Sequence, residues 1–245
     1  MKTIVIIPAR MASERFPNKP LAKINGIPMI ERVWRQAIKS NVGKVYVACS
    51  EKEVFELIGN IGGMAIMTDP NLPSGTDRIH SAISKIQEID KIESIINLQG
   101  DMPLISPKDI LKVNEPIQNG YSMGTLATNL SDKEEKNHNI TKVKIKWREE
   151  KHKGYAIDFY RKPKGILKNI YHHVGIYSFK PSTLNKFVNL PPSTNEKNLK
   201  LEQWRALDGG IKIGITFVEN VPVSIDTKED LIKIENIIKN TNDKN

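Results

Sequence analysis

Short apolar runs alternate with amphipathic stretches over the first hundred residues of the chain. Four runs, at residues 4–7, 45–48, 64–67 and 94–98, have the composition of β-strands, and the first two are apolar enough to be buried on both faces. Residues 27–40 carry apolar side chains at the spacing of one helix face. Strands that alternate with helices in this way predict right-handed crossovers and a parallel sheet.

Small polar residues mark the predicted helix starts. Ser50 and Thr76 precede amphipathic stretches and are the expected N-caps, and Thr227 stands three residues before Asp230 at the start of the last helix. The segment Ser74-Gly75-Thr76, taken alone, fits capping chemistry as well as ligand binding.

The pattern changes after residue 120. Residues 122–130 and 141–147 alternate apolar and polar side chains, as half-exposed antiparallel strands do, with a polar turn over 131–139 between them. Further strands are predicted over 154–160, 171–179 and 211–218, and further helices over 184–189 and 199–207.

These elements predict an α/β fold in one continuous domain, residues 1–245. Residues 120–190 form an antiparallel excursion from a mostly parallel sheet. We expect this excursion to supply dimer contacts, because its strands present apolar edges.

The composition indicates a soluble, cytoplasmic protein. No apolar run approaches the roughly 18–20 residues of a membrane span, and the first apolar run is too short for a secretory signal. The single cysteine, Cys49, cannot form an internal disulfide and is expected to be a packing residue in a reducing compartment. The net charge of +9 leaves a nucleic-acid-binding protein as an alternative. The lysines are spread along the chain, however, which favours solvated surface and an anionic small substrate.

A cationic loop follows the first strand. Arg10, Arg15 and Lys19 lie within ten residues, at the end of the strand where ligands of open α/β sheets bind. Three fixed positive charges at this edge suit a polyphosphate. A solvated basic loop is the simpler interpretation of this segment when it is considered alone.

Two carboxylates follow later strands. Asp101 comes just after the run at 94–98, and Asp226 repeats the arrangement near the C-terminus. Either could be only a turn or capping residue. Together with the cationic loop they supply both halves of a nucleoside-triphosphate site, because Mg²⁺ binds carboxylates and bridges phosphate oxygens.

Competing signatures are absent from the sequence. It contains neither G-x-x-x-x-G-K-[ST] nor G-x-G-x-x-G, and its five histidines lack the spacing of a zinc site. The adjacent His172 and His173 lie on a predicted strand, so one ring should point inward and the other outward.

Several motifs occur in a fixed order from the first strand to the last helix. They are Ile7-Pro8-Ala9-Arg10 with Ser13, Arg15, Pro17 and Lys19-Pro20-Leu21, and residues 74–78 (SGTDR), 97–103 (NLQGDMP), 171–177 (YHHVGIY), 201–207 (LEQWRAL) and 225–231 (IDTKEDL). This ordered set resembles the sugar-nucleotide cytidylyltransferases, and among these the CMP-Kdo synthetases (3-deoxy-manno-octulosonate cytidylyltransferases).

The resemblance implies a Rossmann-like, GT-A-like nucleotidyltransferase fold with three α/β/α layers. It also implies a Mg²⁺-dependent homodimer that makes CMP-Kdo and pyrophosphate from CTP and Kdo for lipopolysaccharide biosynthesis, without nucleic-acid or membrane partners. Arg10, Arg15, Lys19 and Asp101 would be catalytic, with the metal on Asp101 and Asp226. The nucleotide would contact Pro8, Ala9, Arg10, Ser13, Lys19, Ser74 and Gly75, and the sugar acid would contact Arg78, Gln99, Arg161, His173, Glu202 and Gln203.

Three departures from the family pattern concern the sugar side. Met102 replaces a Glu beside Asp101, Tyr160 replaces a Ser before Arg161, and Leu199 replaces a second Glu before the Leu-Glu-Gln segment. Another acidic sugar, such as a Kdo derivative or a nonulosonate, is therefore the alternative substrate. The sequence offers no convincing general base.

Overall fold

The computed structural model describes residues 2–12, 15–149, 152–162, 169–220 and 222–242. The first elements are β1 (Thr3–Ala9), a 3₁₀ turn (Lys19–Leu21), β2 (Lys23–Ile24), β3 (Ile27–Pro28), α1 (Met29–Lys39), β4 (Gly43–Cys49), α2 (Lys52–Asn60), β5 (Met64–Met67), α3 (Gly75–Ile83), a second 3₁₀ turn (Ile89–Lys91) and β6 (Ser94–Asn97).

The remaining elements are α4 (Pro107–Lys112), α5 (Glu115–Gln118), β7 (Met123–Thr128), α6 (Asp132–Glu135), β8 (Lys142–Glu149), β9 (Lys153–Tyr160), β10 (Ile170–Phe179), α7 (Pro181–Asn189), α8 (Thr194–Leu199), α9 (Gln203–Asp208), β11 (Ile213–Phe217) and α10 (Lys228–Asn242). None of the helices in the described ranges is both long and apolar enough to cross a membrane.

The chain divides into two compact units. The N-terminal unit comprises Ile4–Asp90, Asn97–Pro107 and Pro222–Asn245, and the central unit comprises Met1–Thr3, Lys91–Ile96 and Lys108–Val221. That residues 1–245 act as one domain stays a prediction.

The N-terminal unit contains the strand order β5-β4-β1, with β4 and β5 paired in parallel. β1 is buried along almost its whole length, as its apolar sequence predicts. Cys49 ends β4 as a fully buried residue, and burial raises the pKa of its thiol to about 11. It is the packing residue that we expected.

The central unit contains the strand order β6-β10-β7-β11-β9-β8. β10 pairs antiparallel with β7 and β8, and β8 pairs antiparallel with β9, which confirms an antiparallel excursion. β7 is nevertheless buried at every residue, so the predicted half-exposed strand at 122–130 is wrong. It lies between β10 and β11, and its pairing with β11 is parallel.

Three other local predictions are wrong. Ser74, and not Thr76, is the N-cap of α3, since its Oγ accepts the Asp77 N–H. The N-cap of α2 is Glu51 in place of Ser50. The helix predicted over 199–207 begins only at Gln203, as α9, because α8 ends at Leu199 and Lys200 has a left-handed φ of 54°.

Candidate active site

The loop after β1 is anchored by buried apolar side chains. Phe16 packs in one cluster with Ile225 and Ile234 of the C-terminal segment, together with Ile24 and Met29. Phe16 follows Arg15, and Ile225 precedes Asp226. Burial of this apolar pair therefore carries the charged neighbours into the same region of the N-terminal unit.

Lys19 is the centre of the charge arrangement. Its Nζ donates to Asp101 Oδ2 at 2.9 Å and to the carbonyl oxygen of Ile225 at 2.9 Å, and it lies 3.7 Å from Asp226 Oδ1. The side chain of Lys19 is 16% exposed and that of Asp101 is 25% exposed, so the pair is only partly in water. Arg15 Nη2 donates to Asp226 Oδ1 at 3.1 Å. Two carboxylates thus converge on one ammonium group.

The two carboxylate segments are also joined through the backbone. The N–H of Ile225 donates to the carbonyl oxygen of Asp101 at 2.9 Å. Thr227 and Asp230 form the predicted cap of α10, since Thr227 Oγ1 accepts the Asp230 N–H at 3.2 Å and Asp230 Oδ2 accepts the Thr227 N–H at 3.1 Å. Asp226 is therefore held directly before a capped helix.

These groups border one pocket of about 270 Å³ in the N-terminal unit. Its lining residues are Pro8, Ala9, Arg10, Arg15, Lys19, Pro20, Ile30, Gly75, Arg78, Gln99, Gly100, Asp101 and Asp226. The cationic loop and both predicted metal carboxylates thus line the same space.

Arg78 is a buried cation in this pocket, with only 1% of its surface exposed. Its Nη1 donates to Thr68 Oγ1 at 2.5 Å, while its Nη2 has no hydrogen-bond partner among the described residues. Burial lowers the pKa of the guanidinium, and the charge of Glu51 opposes that effect. Because an arginine stays protonated in proteins, Arg78 offers an anion a charged N–H that is otherwise unused.

Two glycines allow the chain to close around Pro8. A Cβ on Gly100 would lie 2.9 Å from the Pro8 carbonyl oxygen, and a Cβ on Gly75 would lie 3.3 Å from Pro8 Cγ. Gln99 is oriented beside them, because its Nε2 donates to Asn97 Oδ1 at 2.9 Å. Ser74 does not line the pocket but donates from Oγ to Asp77 Oδ2 at 2.6 Å at the start of α3.

Two carboxylates around a cation form a donor set that suits Mg²⁺. The described residues contain no group of three or more His, Cys, Asp or Glu side chains that could hold a metal. Mg²⁺, however, is commonly bound by one or two carboxylates, with substrate phosphates and water as its other ligands. Asp101 and Asp226 fit that pattern, since the ammonium of Lys19 shows that a cation is accommodated between them.

Other predicted substrate residues lie in the central unit. His173 is 5% exposed, and its Nε2 lies 3.0 Å from Thr125 Oγ1. Burial and the charge of His172 lower the pKa of His173 to about 3. The Gln203 Nε2 donates to Tyr177 Oη, and Glu202 is the N-cap of α9.

Arg161 follows β9, and its Nη1 donates to the carbonyl oxygen of Asn139 at 3.0 Å. The adjacent His172 and His173 are predicted to have one inward and one outward ring. The Nδ1 of His172 lies 2.9 Å from Glu134 Oε1 and its side chain is 13% exposed, so this ring is largely covered, as that of His173 is.

Most predicted nucleotide and metal residues therefore meet in one pocket, whereas Arg161, His173, Glu202 and Gln203 belong to the central unit. Ser13 lies outside the described residues. Three residues that line the pocket, Pro20, Ile30 and Gly100, were not predicted as site residues. Pro20 and Gly100 occur only within the sequence motifs, and Ile30 has no sequence signal beyond its place on an apolar helix face.

Sequence reasoning also missed Glu51, whose Oε1 accepts the Met11 N–H at 3.1 Å and so ties α2 to the cationic loop. Its position just after β4, at the same sheet edge as Arg10, was the available signal.

Comparison with known proteins gives concordant results. Residues 4–213 match the family model described as cytidylyltransferase. The chain is 40% identical over 241 residues to the 3-deoxy-manno-octulosonate cytidylyltransferase of Paramagnetospirillum magneticum, covering 96% of this chain and 97% of that protein. It is 42% identical over 233 residues to the enzyme of the same name from Rickettsia bellii, covering 94% and 93% respectively.

Solved structures agree. A CMP:2-keto-3-deoxy-manno-octonic acid synthetase complexed with CTP matches with a TM-score of 0.89 at 32% identity, covering 98% of this chain and 100% of that one. A UDP-glucose pyrophosphorylase complexed with UDP-glucose matches with a TM-score of 0.72 at 15% identity over 98% of this chain and 100% of that one, which shows the fold alone. The predicted Rossmann-like nucleotidyltransferase fold is confirmed.

Proposed function

We propose that this chain, which belongs to the 3-deoxy-manno-octulosonate cytidylyltransferase family, transfers the cytidylyl group of CTP to 3-deoxy-D-manno-octulosonate (Kdo), giving CMP-Kdo and pyrophosphate. The observation that carries the proposal is the convergence of Arg10, Arg15 and Lys19 with Asp101 and Asp226 on one pocket. Cations for a triphosphate and carboxylates for its metal are the two requirements of nucleotidyl transfer.

In the reaction, the anomeric hydroxyl oxygen of Kdo forms a bond to the α-phosphorus of CTP and loses its proton to solvent water. The bond from that phosphorus to the α,β-bridging oxygen breaks, and pyrophosphate leaves. Arg10, Arg15 and Lys19 lower the barrier by holding the phosphates and balancing the charge that builds up on them. Mg²⁺ bound by Asp101 and Asp226 would neutralise phosphate charge and acidify the attacking hydroxyl.

In this proposal Lys19 and Arg15 exchange their carboxylate partners for phosphate groups when the nucleotide binds. In the structure Lys19 pairs with Asp101 and Asp226, and Arg15 pairs with Asp226. When they turn to the phosphates, both carboxylates become available for the metal. The flexible stems of lysine and arginine allow this change without movement of the backbone.

The remaining predicted roles come from the family resemblance, and the chemistry of the residues is compatible with them. Pro8, Ala9 and Gly75 line the pocket and, with Ser13 and Ser74, are assigned to the nucleotide. Arg78 and Gln99 are assigned to the sugar acid, because a buried guanidinium with a free N–H suits its carboxylate. Arg161, His173, Glu202 and Gln203 are assigned to its hydroxyl and carboxyl groups.

A related sugar acid is the second candidate, and the family departures favour testing it. Met102 is 6% exposed, which makes it an apolar packing residue where the family has an acid. Tyr160 has a buried hydroxyl without a hydrogen-bond partner among the described residues, and burial raises its pKa to about 12. Leu199 is half-buried at the end of α8.

A pyrophosphate-release assay tests the base, the sugar and the reaction together. CTP, UTP and ATP are each combined with Kdo, a Kdo derivative and a nonulosonate, with Mg²⁺ or with EDTA. We expect release only with CTP, Kdo and Mg²⁺. Release with another sugar acid alone would establish the second candidate. No release with any pair, together with steeply salt-dependent binding of DNA or RNA, would instead support the basic nucleic-acid-binding alternative.

We also propose that the product serves lipopolysaccharide biosynthesis in the cytoplasm and that the enzyme is a homodimer. The exposed apolar side chain of Ile157, at 42%, lies on β9 of the antiparallel excursion, whose strand edges we expect at the dimer surface. Light scattering of the purified protein would measure its mass. A monomer at enzyme-assay concentrations would contradict the dimer.

A further inference from the structure

The side-chain amide of Gln203 donates a hydrogen bond from its nitrogen, whereas its oxygen has no hydrogen-bond partner among the described residues. Its Nε2 donates to Tyr177 Oη at 2.5 Å, and both residues are 9% exposed. Its Oε1 is buried and has no hydrogen-bond partner among the described residues. A buried acceptor without a partner is costly in a folded protein, so this oxygen is a candidate to receive a ligand proton.

The partner that orients this amide is itself fixed by packing. The Tyr177 ring lies 5.6 Å from the His173 ring and 6.2 Å from the Phe179 ring, measured between centroids. Burial also raises the pKa of the Tyr177 phenol, so the group stays a neutral hydroxyl. A fixed phenol oxygen that accepts from Nε2 leaves Oε1 as the free atom of the amide.

Thr125 determines which ring nitrogen of His173 carries the proton. Its Oγ1 carries one proton and faces two carbonyl oxygens, those of Ile176 at 2.7 Å and Val174 at 3.1 Å. Since these acceptors take the hydroxyl proton, the contact of 3.0 Å with His173 Nε2 must be an N–H donated by the ring. In the neutral ring, Nδ1 then carries a lone pair.

We propose that Tyr177 and Thr125 are positioning residues that present the substrate with two hydrogen-bond acceptors, Gln203 Oε1 and His173 Nδ1. The inference rests on the proposed function and specifies how the sugar acid is chosen. Paired acceptors select the hydroxyl groups of a polyhydroxylated sugar and reject analogues that lack them, since the buried Gln203 Oε1 would then stay without a hydrogen-bond partner.

The Tyr177→Phe variant tests the first half of this inference. The change keeps the ring and removes the hydroxyl that orients Gln203. We expect the KM for Kdo to rise about tenfold, the effect of one hydrogen bond, with the KM for CTP unchanged. A Kdo analogue that lacks the contacted hydroxyl should be discriminated against by the wild type and much less by Tyr177→Phe.

Tyr171→Phe is the matched control. Tyr171 lies on the same strand, and its Oη accepts a hydrogen bond from Trp147 Nε1 at 3.1 Å. The control loses a comparable bond and should leave the KM for Kdo unchanged. Thermal unfolding of both variants distinguishes a loss of positioning from a loss of fold.

The ¹⁵N NMR signals of His173 test the second half without substrate. We expect the wild type to carry its proton on Nε2 and Thr125→Val to lose this preference. A proton on Nδ1 in the wild type would overturn the role of Thr125.

Normal wild-type turnover with an unchanged KM for Kdo in Tyr177→Phe would overturn the role of Tyr177 and leave the proposed function intact. Absence of wild-type turnover with Kdo would overturn the proposed function and this inference with it.

Discussion

The ammonium group of Lys19 lies 2.9 Å from Asp101 Oδ2 and 3.7 Å from Asp226 Oδ1. A single cation thus occupies the position between the two carboxylates to which we assign Mg²⁺. The same side chain lines the pocket assigned to the triphosphate. In the proposed function the carboxylate partners of Lys19 and the phosphates compete for one ammonium group, so we expect metal binding and nucleotide binding to be coupled.

The first prediction concerns Lys19→Met in the ligand-free protein. Removal of the ammonium group should strengthen binding of Mn²⁺ by about tenfold, because the metal no longer competes with a bound cation for Asp101 and Asp226. The KM for CTP should rise at the same time, since a phosphate contact is lost. Electron paramagnetic resonance of Mn²⁺ measures the first effect and steady-state kinetics the second.

Lys23→Met is the control, because Lys23 is an exposed lysine outside the pocket. It should change neither quantity. Weaker Mn²⁺ binding by Lys19→Met would show that the ammonium group does not occupy the metal position.

The second prediction is that Asp101→Asn lowers turnover by ~10²–10³-fold, the range for removal of one preorganised electrostatic contact. The unfolding temperature should stay close to that of the wild type, because the Lys19 ammonium group keeps the carbonyl oxygen of Ile225 and the carboxylate of Asp226 as partners in the variant. Turnover at saturating CTP over a Mg²⁺ titration measures the loss. The exposed Asp90 provides a control, Asp90→Asn. Near-normal turnover of Asp101→Asn would remove Asp101 from the metal site.

The third prediction compares two glycines. Gly100→Ala places a methyl group 2.9 Å from the Pro8 carbonyl oxygen, so the backbone must shift, at a cost of about 1–3 kcal/mol in unfolding free energy. Gly59→Ala, on α2, meets no atom within 4 Å and should stabilise the protein by about 0.5–1 kcal/mol. Urea unfolding measures both changes. Equal stabilities of the two variants would contradict the close approach at Pro8.

The fourth prediction is a pH dependence of stability from His173. Burial lowers its pKa in the folded protein from 6.5 to about 3. Between these values the unfolded chain binds a proton that the folded chain does not, so the free energy of unfolding falls as the pH is lowered from 6.5. One such proton accounts for at most about 1.4 kcal/mol per pH unit.

His173→Gln should reduce this pH slope, whatever its effect on stability at pH 7. His138→Gln replaces an exposed ring and serves as the control. Urea unfolding between pH 7 and pH 5 gives the slopes. An unchanged slope in His173→Gln would mean that His173 can be protonated in the folded protein.

The errors in the predicted elements have a common origin. Ser50 and Thr76 are acceptable caps by residue type, but the chain makes its first helical turns beside Glu51 and Ser74 instead. Residues of β7 alternate in the sequence and are nevertheless all buried, because packing covers both faces of the strand; Pro116 of α5, for example, lies against Gly124. A local pattern does not specify the neighbours that cover a strand.

The candidate site was predictable in its chemistry and only partly in its contacts. Arg10, Arg15 and Lys19 after the first strand, and Asp101 after a later one, follow from apolar runs that stop at charged residues. That order suffices because strand ends of an α/β sheet gather at one edge. Glu51, Thr125 and Tyr177 were missed because each acts through a partner that is remote in the sequence.

The amino-acid sequence by itself determined which segments become strands and which charged side chains follow them, and its ordered motifs indicated the family. Those properties depend on local periodicity and residue type. Only the tertiary structure decided that Lys19 pairs with both Asp101 and Asp226, because the burial of Phe16 against Ile225 brings distant parts of the chain together. The tertiary structure alone also decided that Gln203 Oε1 has no hydrogen-bond partner among the described residues, since this depends on the position of the buried Tyr177 hydroxyl, which binds Nε2.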